Sequence, residues 1–336
     1  MPKAARLAFS VSTFASSRLR YAGHAIRRLI VSSQAITHHS LTVVAPPNRS
    51  HDREGVVASK PLQLGSPQWA ATQRACIDSL MVVTGTKQPP RPGRRFTRNR
   101  MGWISEQISP LGGMFLDFCR AGYCASSESA ALDIGTGYGL VALAGLHAGA
   151  WVIANDVEPS HLRELERRAE RETSKVERSR LALRPGYFPR DLFFPEGSLG
   201  AVHCANVLHF LTGRQLTLGV SRIARWLRPG GKLFVQASTP YRAPFAPFVA
   251  EYERRVAASE KWPGWVEKLS VYCSHRQVGH MPRSMHFLDD RILERVALEA
   301  GLTVERAWLA AGDDLPADLC LDGRETACLI ARKSVL

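Results

Sequence analysis

Three glycines and two acids stand at spacings that suit the binding of a nucleoside-type ligand. They are Asp133-Ile-Gly135-Thr-Gly137-Tyr-Gly139 and, after a further apolar run, Asp156. Glycines let a backbone pass close to a ligand and take angles that a Cβ forbids. An acid at the end of the next strand can accept hydrogen bonds from ribose hydroxyls. The spacing also excludes two ligands. A dinucleotide turn, G-x-G-x-x-G, needs glycine at 140, where Leu140 stands, and no Gly-Lys-Ser/Thr follows, which rules out a phosphate loop.

The elements around these residues follow from hydrophobic spacing. Ala131–Ile134 is a short apolar run ending at the glycine turn, and Leu140–His147 is apolar at helical spacing with Gly149 placed to end it. Trp151–Ala154 predicts a second buried strand, and Pro159 opens a helix with Leu162, Leu165 and Ala169 on one face. Leu181–Leu183 and Ala201–Asn206 read as strands three and four. A helix through Leu216, Val220, Ile223 and Leu227 stops at Arg228-Pro-Gly-Gly231, before a fifth strand at Leu233–Ala237. Asp289 or Asp290 caps a helix running to Gly301, and the stretches Leu302–Leu309 and Glu325–Ala331 then pair antiparallel at the sheet edge. Strand, turn, helix, strand, acid, helix is the opening of a doubly wound parallel sheet.

On these residues the chain resembles the class I S-adenosylmethionine-dependent methyltransferases, over roughly residues 100–333. LDIGTGYG is similar to the family's first motif and VIANDVEPSHL to its second-strand motif. FFPEGSLGAVHCANVLHFL resembles the stretch through strand four, and RWLRPGGKLFV the helix-turn-strand signature after it. The resemblance implies an α/β fold, a doubly wound, mostly parallel seven-stranded sheet with an antiparallel edge strand and a helical cap. It implies S-adenosylmethionine as cofactor, with Asp133, Gly135, Thr136, Gly137 and Gly139 lining its methionine and ribose side. By the same resemblance Asp156 holds the ribose hydroxyls, Val157 lies against adenine, and Asn206 faces the transferring methyl. Two positions depart from the family. Gly186-Tyr187 replaces its usual Gly-Asp, leaving Tyr187 or Phe188 to stack on adenine or a backbone group to take its amine, and Gly200 replaces an acid.

His209, just beyond strand four, is the candidate general base, with a structural histidine as the alternative. Tyr241, His275, His280 and His286 could reach a substrate. Cys273-x-His275 with His280 and His286 fits no established zinc spacing, so no metal is expected. Substrate choice is assigned to a cap built from Arg98–Tyr123 and Tyr241–Met285, both rich in aromatics.

The charge is divided unevenly. Of 44 Lys and Arg and 30 acids, residues 1–105 carry 16 basic residues and three acids, and the remainder is nearly balanced. The first 51 residues hold no acid, and Lys87–Arg100 sets six basic residues among three prolines. A basic leader explains the net charge of +14, so nucleic acid is an unlikely partner of the folded body. The expected organisation is a leader over 1–60, a transit or secretion signal or a dock for an acidic partner; a helical or cap segment over 61–127; and a cofactor-binding domain over 128–333 with its cap insertion at about 241–285. Seven cysteines without a framework point to reduced thiols and a cytoplasmic setting. No apolar run is long enough to span a membrane. The expected activity is methyl transfer to oxygen or nitrogen of a small molecule. A protein methyltransferase and a catalytically silent binding module are the alternatives. The lack of Asn-Pro-Pro-Tyr after strand four argues against base or glutamine-amide methylation.

Overall fold

Short apolar runs closed by glycine or proline form strands when both of their faces can be covered, and such strands need helices above and below. The computed structural model of the protein shows this arrangement, describing residues 97–99, 104–273, 281–312, 315 and 317–335. The leader over 1–60, the first part of the 61–127 segment, most of the Lys87–Arg100 run, His275 and His280 lie outside the described residues.

Helix α1 (Pro110–Phe118) starts at Ser109, whose hydroxyl accepts the Gly112 N–H at 3.2 Å. Strand β1 (Ala130–Ile134), helix α2 (Leu140–His147), strand β2 (Val152–Asp156) and helix α3 (Pro159–Glu172) follow, then the short α4 (Lys175–Arg178) and strand β3 (Leu181–Pro185). Strand β4 (Leu199–Ala205) leads through a 3₁₀ turn to α5 (Gly213–Trp226), which Thr212 and Gln215 cap reciprocally. Strand β5 (Leu227–Ser238) already begins within Leu227-Arg-Pro-Gly-Gly231, so the turn expected there is an irregular strand start, with a register shift against β4 between Leu199 and Ala201. Helix α6 (Ala246–Ala257) and the two-residue strands β6 (Trp265–Val266) and β7 (Met285–His286) form the cap. Helix α7 (Asp290–Glu299) and strands β8 (Leu302–Ala310) and β9 (Thr326–Lys333) end the fold, α7 being capped by Asp289 through the Ile292 N–H at 2.8 Å.

The seven strands run in the order β3-β2-β1-β4-β5-β9-β8. The first five are parallel, and β9 pairs antiparallel with both β5 and β8. One face is covered by α1, α2 and α3, with Leu111, Phe115, Leu143, Leu146, Leu162 and Leu165 buried against Ala131, Ala201 and Phe234. The other is covered by α5 and α7, where Leu216, Val220, Ile223 and Val296 meet Leu132, Val202 and Leu233. Helix α1 thus belongs to the sheet layer rather than to a cap. The cap has its own core of Tyr241, Phe245, Phe248, Tyr252, Leu269 and Phe287. Among the described residues no helix is long and apolar enough to cross a membrane.

The strand order reverses between β1 and β4, and that is where an open parallel sheet leaves a crevice at its carboxyl ends. Gly200, at the β4 register shift, has no room for a side chain, since an added Cβ would collide with the Tyr123 and Ser129 carbonyl oxygens. An acid at this position would need the chain after α1 to move. Gly113, inside α1, meets nothing within 4 Å. Gly200→Ala is therefore expected to destabilise by roughly 1–3 kcal/mol through overpacking against backbone. Gly113→Ala should stabilise by about 0.5–1 kcal/mol through helix propensity. Urea midpoints of the two variants, moving in opposite directions from wild type, are the check.

Candidate functional site

Three loops meet at the crevice: Gly135–Gly139 after β1, Asp156–Glu158 after β2, and Asn206–Thr212 after β4. The glycines at 135, 137 and 139 all take left-handed backbone angles, with φ of 73°, 55° and 80°. Space restricts two of them further, because a Cβ on Gly135 would run into Val207 and one on Gly139 into Leu165. Glycine is needed here so that the loop can pass between β4's exit and α3.

The Asp156 carboxylate is only 6% exposed. Its Oδ2 accepts the Gly137 N–H at 2.9 Å and its Oδ1 the Glu158 N–H at 2.8 Å. The His161 Nδ1 lies 3.1 Å from Oδ1. Val157, the next residue, is 52% exposed, an apolar side chain open beside the carboxylate. Asn155 fixes the far wall, donating to the Arg184 and Gly186 carbonyls at 2.8 and 3.0 Å.

Asp133 works from behind the loop. The resemblance places it among the cofactor-lining residues, but here both oxygens are engaged by the protein: Thr136 Oγ1 donates to Oδ2 and His203 Nδ1 to Oδ1, each at 2.7 Å. Thr136 is thus spent on shaping the turn. Asn206 has a φ of 58°, which asparagine tolerates better than most residues. Its N–H donates to the Gln236 carbonyl at 2.8 Å and ties the β4 exit to β5.

Two expectations change. Phe188, one of the two residues proposed to stack on adenine, is 4% exposed and packs in the core against Gly219 and Trp226. The neighbouring Tyr187 is only partly buried, its N–H held by Asp191 Oδ2 at 3.0 Å and its ring under Arg190. His209, the candidate base, is buried, and its Nδ1 accepts the Ser238 N–H at 3.3 Å. Burial, with Arg242 nearby, lowers its pKa to about 3. An imidazole whose lone pair already holds a backbone N–H, and which resists a second proton, fits the structural alternative for His209.

The cap and the chain leaving it touch the β4 exit, the start of α5 and the end of β5. His286 Nδ1 lies 3.0 Å from the Leu211 carbonyl, the Trp262 ring fills the space a side chain at Gly213 would take, and the Leu288 N–H donates to the Ser238 carbonyl at 3.0 Å. His286 is buried edge-on to Trp262 and Trp265 with its pKa lowered to about 4, chiefly by desolvation. Tyr241 donates to Glu253 at 2.5 Å under the Arg324 guanidinium, and burial first, then Glu253, raises its pKa. Among the described residues no cluster of metal-ligating side chains occurs.

His161 and His203 were missed by the sequence reading, although each left a signal. Pro159 at the first helical position puts His161 in the first turn of α3, directly after the strand-end acid. His203 interrupts the buried run of β4 and pairs in register with Asp133, the polar residue inside β1.

Residues 131–231 match a family model described as a methyltransferase domain. No curated protein matches the chain. Among solved structures it is similar to an S-adenosylmethionine-dependent methyltransferase from Methanosarcina mazei, at 15% identity and a TM-score of 0.47 over 63% of this chain and 96% of that one. It is also similar to one from Mesorhizobium loti, at 16% identity and a TM-score of 0.42 over 64% and 95%. The CcbJ methyltransferase of Streptomyces caelestis is similar at 18% identity and a TM-score of 0.45 over 67% and 90%. The glycine loop, the strand-end carboxylate and the β4 exit all fall inside the span that is similar to the methyltransferase-domain model.

Proposed function

We propose that this protein transfers the methyl group of S-adenosylmethionine to an oxygen or nitrogen atom of a small organic molecule. The observation that carries this reading is the buried Asp156 carboxylate, locked to the glycine loop at the strand-order reversal. The residues present fit the cofactor. Bare backbone runs along the crevice from Gly135 to Gly139, the carboxylate keeps lone pairs beyond its two backbone donors, and Val157 offers an open apolar surface beside it. Gly135, Gly137, Gly139 and Asn206 would hold the methionine side, Asp156 the ribose, and Val157 with Tyr187 the adenine.

When bound, the cofactor supplies a methyl group that its sulfonium has already made electrophilic. The chain's task is then to hold an acceptor atom in line and keep water out, and such positioning can be worth up to about 7–11 kcal/mol. His209 takes part by pinning the β4 exit to β5 as a neutral acceptor. A small acceptor is supported by the cap, whose aromatic core is closed on itself and anchored on the β4 exit through Trp262 and His286.

Calorimetry with S-adenosylmethionine and its demethylated product tests the reading. Wild type should bind in the micromolar range, and Asp156→Ala should lose about 1.5–3 kcal/mol as the sugar hydroxyls lose a charged partner. Wild type without binding, or a variant that binds equally well, would overturn it. A second expectation concerns pH. His209 and His286 are neutral in the fold, with pKa values of about 3 and 4, while the unfolded chain protonates them near the ordinary 6.5. Stability is therefore full above that pH and falls as pH drops from about 6.5 toward 4. Urea midpoints at pH 7 and pH 5 should show the fall. His209→Asn, which keeps an acceptor for the Ser238 N–H but does not titrate, should make it shallower.

A further inference from the structure

His161 is 1% exposed; one of its ring nitrogens is hydrogen-bonded, while the other has no aligned hydrogen-bond partner and stands against a carboxylate. Its Nε2 accepts the backbone N–H of Arg98 at 3.0 Å. A nitrogen that accepts carries no hydrogen in a neutral imidazole, so the hydrogen sits on Nδ1, which faces Asp156 Oδ1 at 3.1 Å. The ring edge is set at right angles to Tyr138, the residue between Gly137 and Gly139, at 5.2 Å between centroids.

Arg98 belongs to a strap that lies against the glycine loop. Its guanidinium reaches the Ser160 carbonyl at 3.5 Å, stands 3.7 Å from Glu164 and lies over the Tyr138 ring. Further along, Ile104 is the nearest side chain to the point where a Cβ on Gly137 would project. Tyr138 is fixed from the other side by Arg168, which donates to its carbonyl at 2.9 Å. A segment remote in sequence is thus docked on α3, and its backbone anchor is the imidazole that faces the ribose carboxylate.

We propose that His161 is a positioning residue that couples docking of the Arg98 stretch, residues 97–99, to the orientation of the Asp156 carboxylate, so that docking of this strap and cofactor binding reinforce each other. The inference rests on the cofactor reading given above. With the strap docked, Nε2 is occupied and the opposite nitrogen, Nδ1, is kept 3.1 Å from Asp156 Oδ1, which leaves the carboxylate's remaining lone pairs for the ligand. With the strap undocked, the ring is free to turn and that restraint is lost. The coupling is reciprocal, because a ligand that fixes the carboxylate also fixes the ring that receives the Arg98 N–H.

A double-mutant cycle read by calorimetry with S-adenosylhomocysteine tests this. His161→Leu should weaken binding about 5- to 20-fold in the wild-type background and less than 2-fold in the Asp156→Ala background, since its effect runs through that carboxylate. His161→Gln, which retains a donor and an acceptor, should recover most of the loss. Arg98→Pro removes the N–H that His161 receives and should weaken binding beyond Arg98→Ala, which keeps it. Equal binding by wild type and His161→Leu, or equal losses in both backgrounds, would overturn the coupling while leaving the cofactor reading intact. Wild type that does not bind at all would sink the cofactor reading itself. Should His161→Leu not fold, the comparison of Arg98→Pro with Arg98→Ala decides, an equal affinity of those two variants counting against the proposal.

Discussion

A carboxylate withdrawn from water must be met by donors that the fold supplies, and Asp156 imposes that demand at the centre of this molecule. Two backbone N–H groups meet it, those of Gly137 and Glu158. One comes from the loop after β1 and the other from the start of α3, so a single side chain sets the distance between two crossovers. The loop is held at its near end as well, since Asp133 fixes Thr136 and is itself fixed by His203 of β4. Between these two anchors the glycines follow a path that no other residue could take beside Val207 and Leu165. The shape of the crevice is therefore a consequence of two buried acids finding their donors.

The cap side of the crevice is built by different means. There the β4 exit is secured by histidines kept neutral by burial, His209 receiving the Ser238 N–H and His286 set against the Leu211 carbonyl. A neutral imidazole offers one donor and one acceptor at fixed separation without the desolvation cost of a charge. The cap adds packing, with Phe248, Tyr252 and Phe287 in its interior and Trp262 set where α5 begins. Glu325 anchors the loop leading into β9, its carboxylate accepting the N–H groups of Leu321, Asp322 and Gly323 at 2.7–2.9 Å and of Gly312 at 3.2 Å.

What could be read from the sequence was whatever depends on neighbours close in the chain. The runs at Ala131–Ile134 and Trp151–Ala154, the glycines after the first and the acid after the second follow from periodicity and local backbone demands, and they lie where expected, with a boundary shifted by a residue. The antiparallel pairing of the last two stretches was legible because the connection between them reads as a polar loop; among its described residues it holds one 3₁₀ turn, Ala317–Leu319. The rest depends on contacts between distant segments. That Gly200 stands under the Tyr123 carbonyl, that Phe188 turns inward onto Gly219, and that His203 meets Asp133 depend on strand order and on which helix covers which face. The two readings of His209, general base and structural histidine, could not be separated for the same reason. Its position after β4 suits a base, but burial, with Arg242 nearby, lowers its pKa, and its Nδ1 already receives the Ser238 N–H of β5.

These two modes of construction have different tolerances. Backbone donors aimed at a carboxylate accept few replacements, because shortening or neutralising the acid leaves N–H groups unpaired in a closed site. Aromatic packing of the cap kind tolerates exchange as long as volume is kept, at a cost that is usually below about 1.5 kcal/mol. A chain that shapes its glycine loop through Asp133 and Asp156, and its cap through Tyr252, Phe248 and Trp262, can alter the second without disturbing the first. The cap meets the sheet unit at the β4 exit, where His286 lies against the Leu211 carbonyl, and again beside β9, where Arg242 donates to the Glu325 carbonyl and Arg324 lies over Tyr241. Substitutions that change acceptor choice while sparing cofactor affinity should therefore lie on the cap side of that exit, since only there can side-chain volume change without stranding a buried charge.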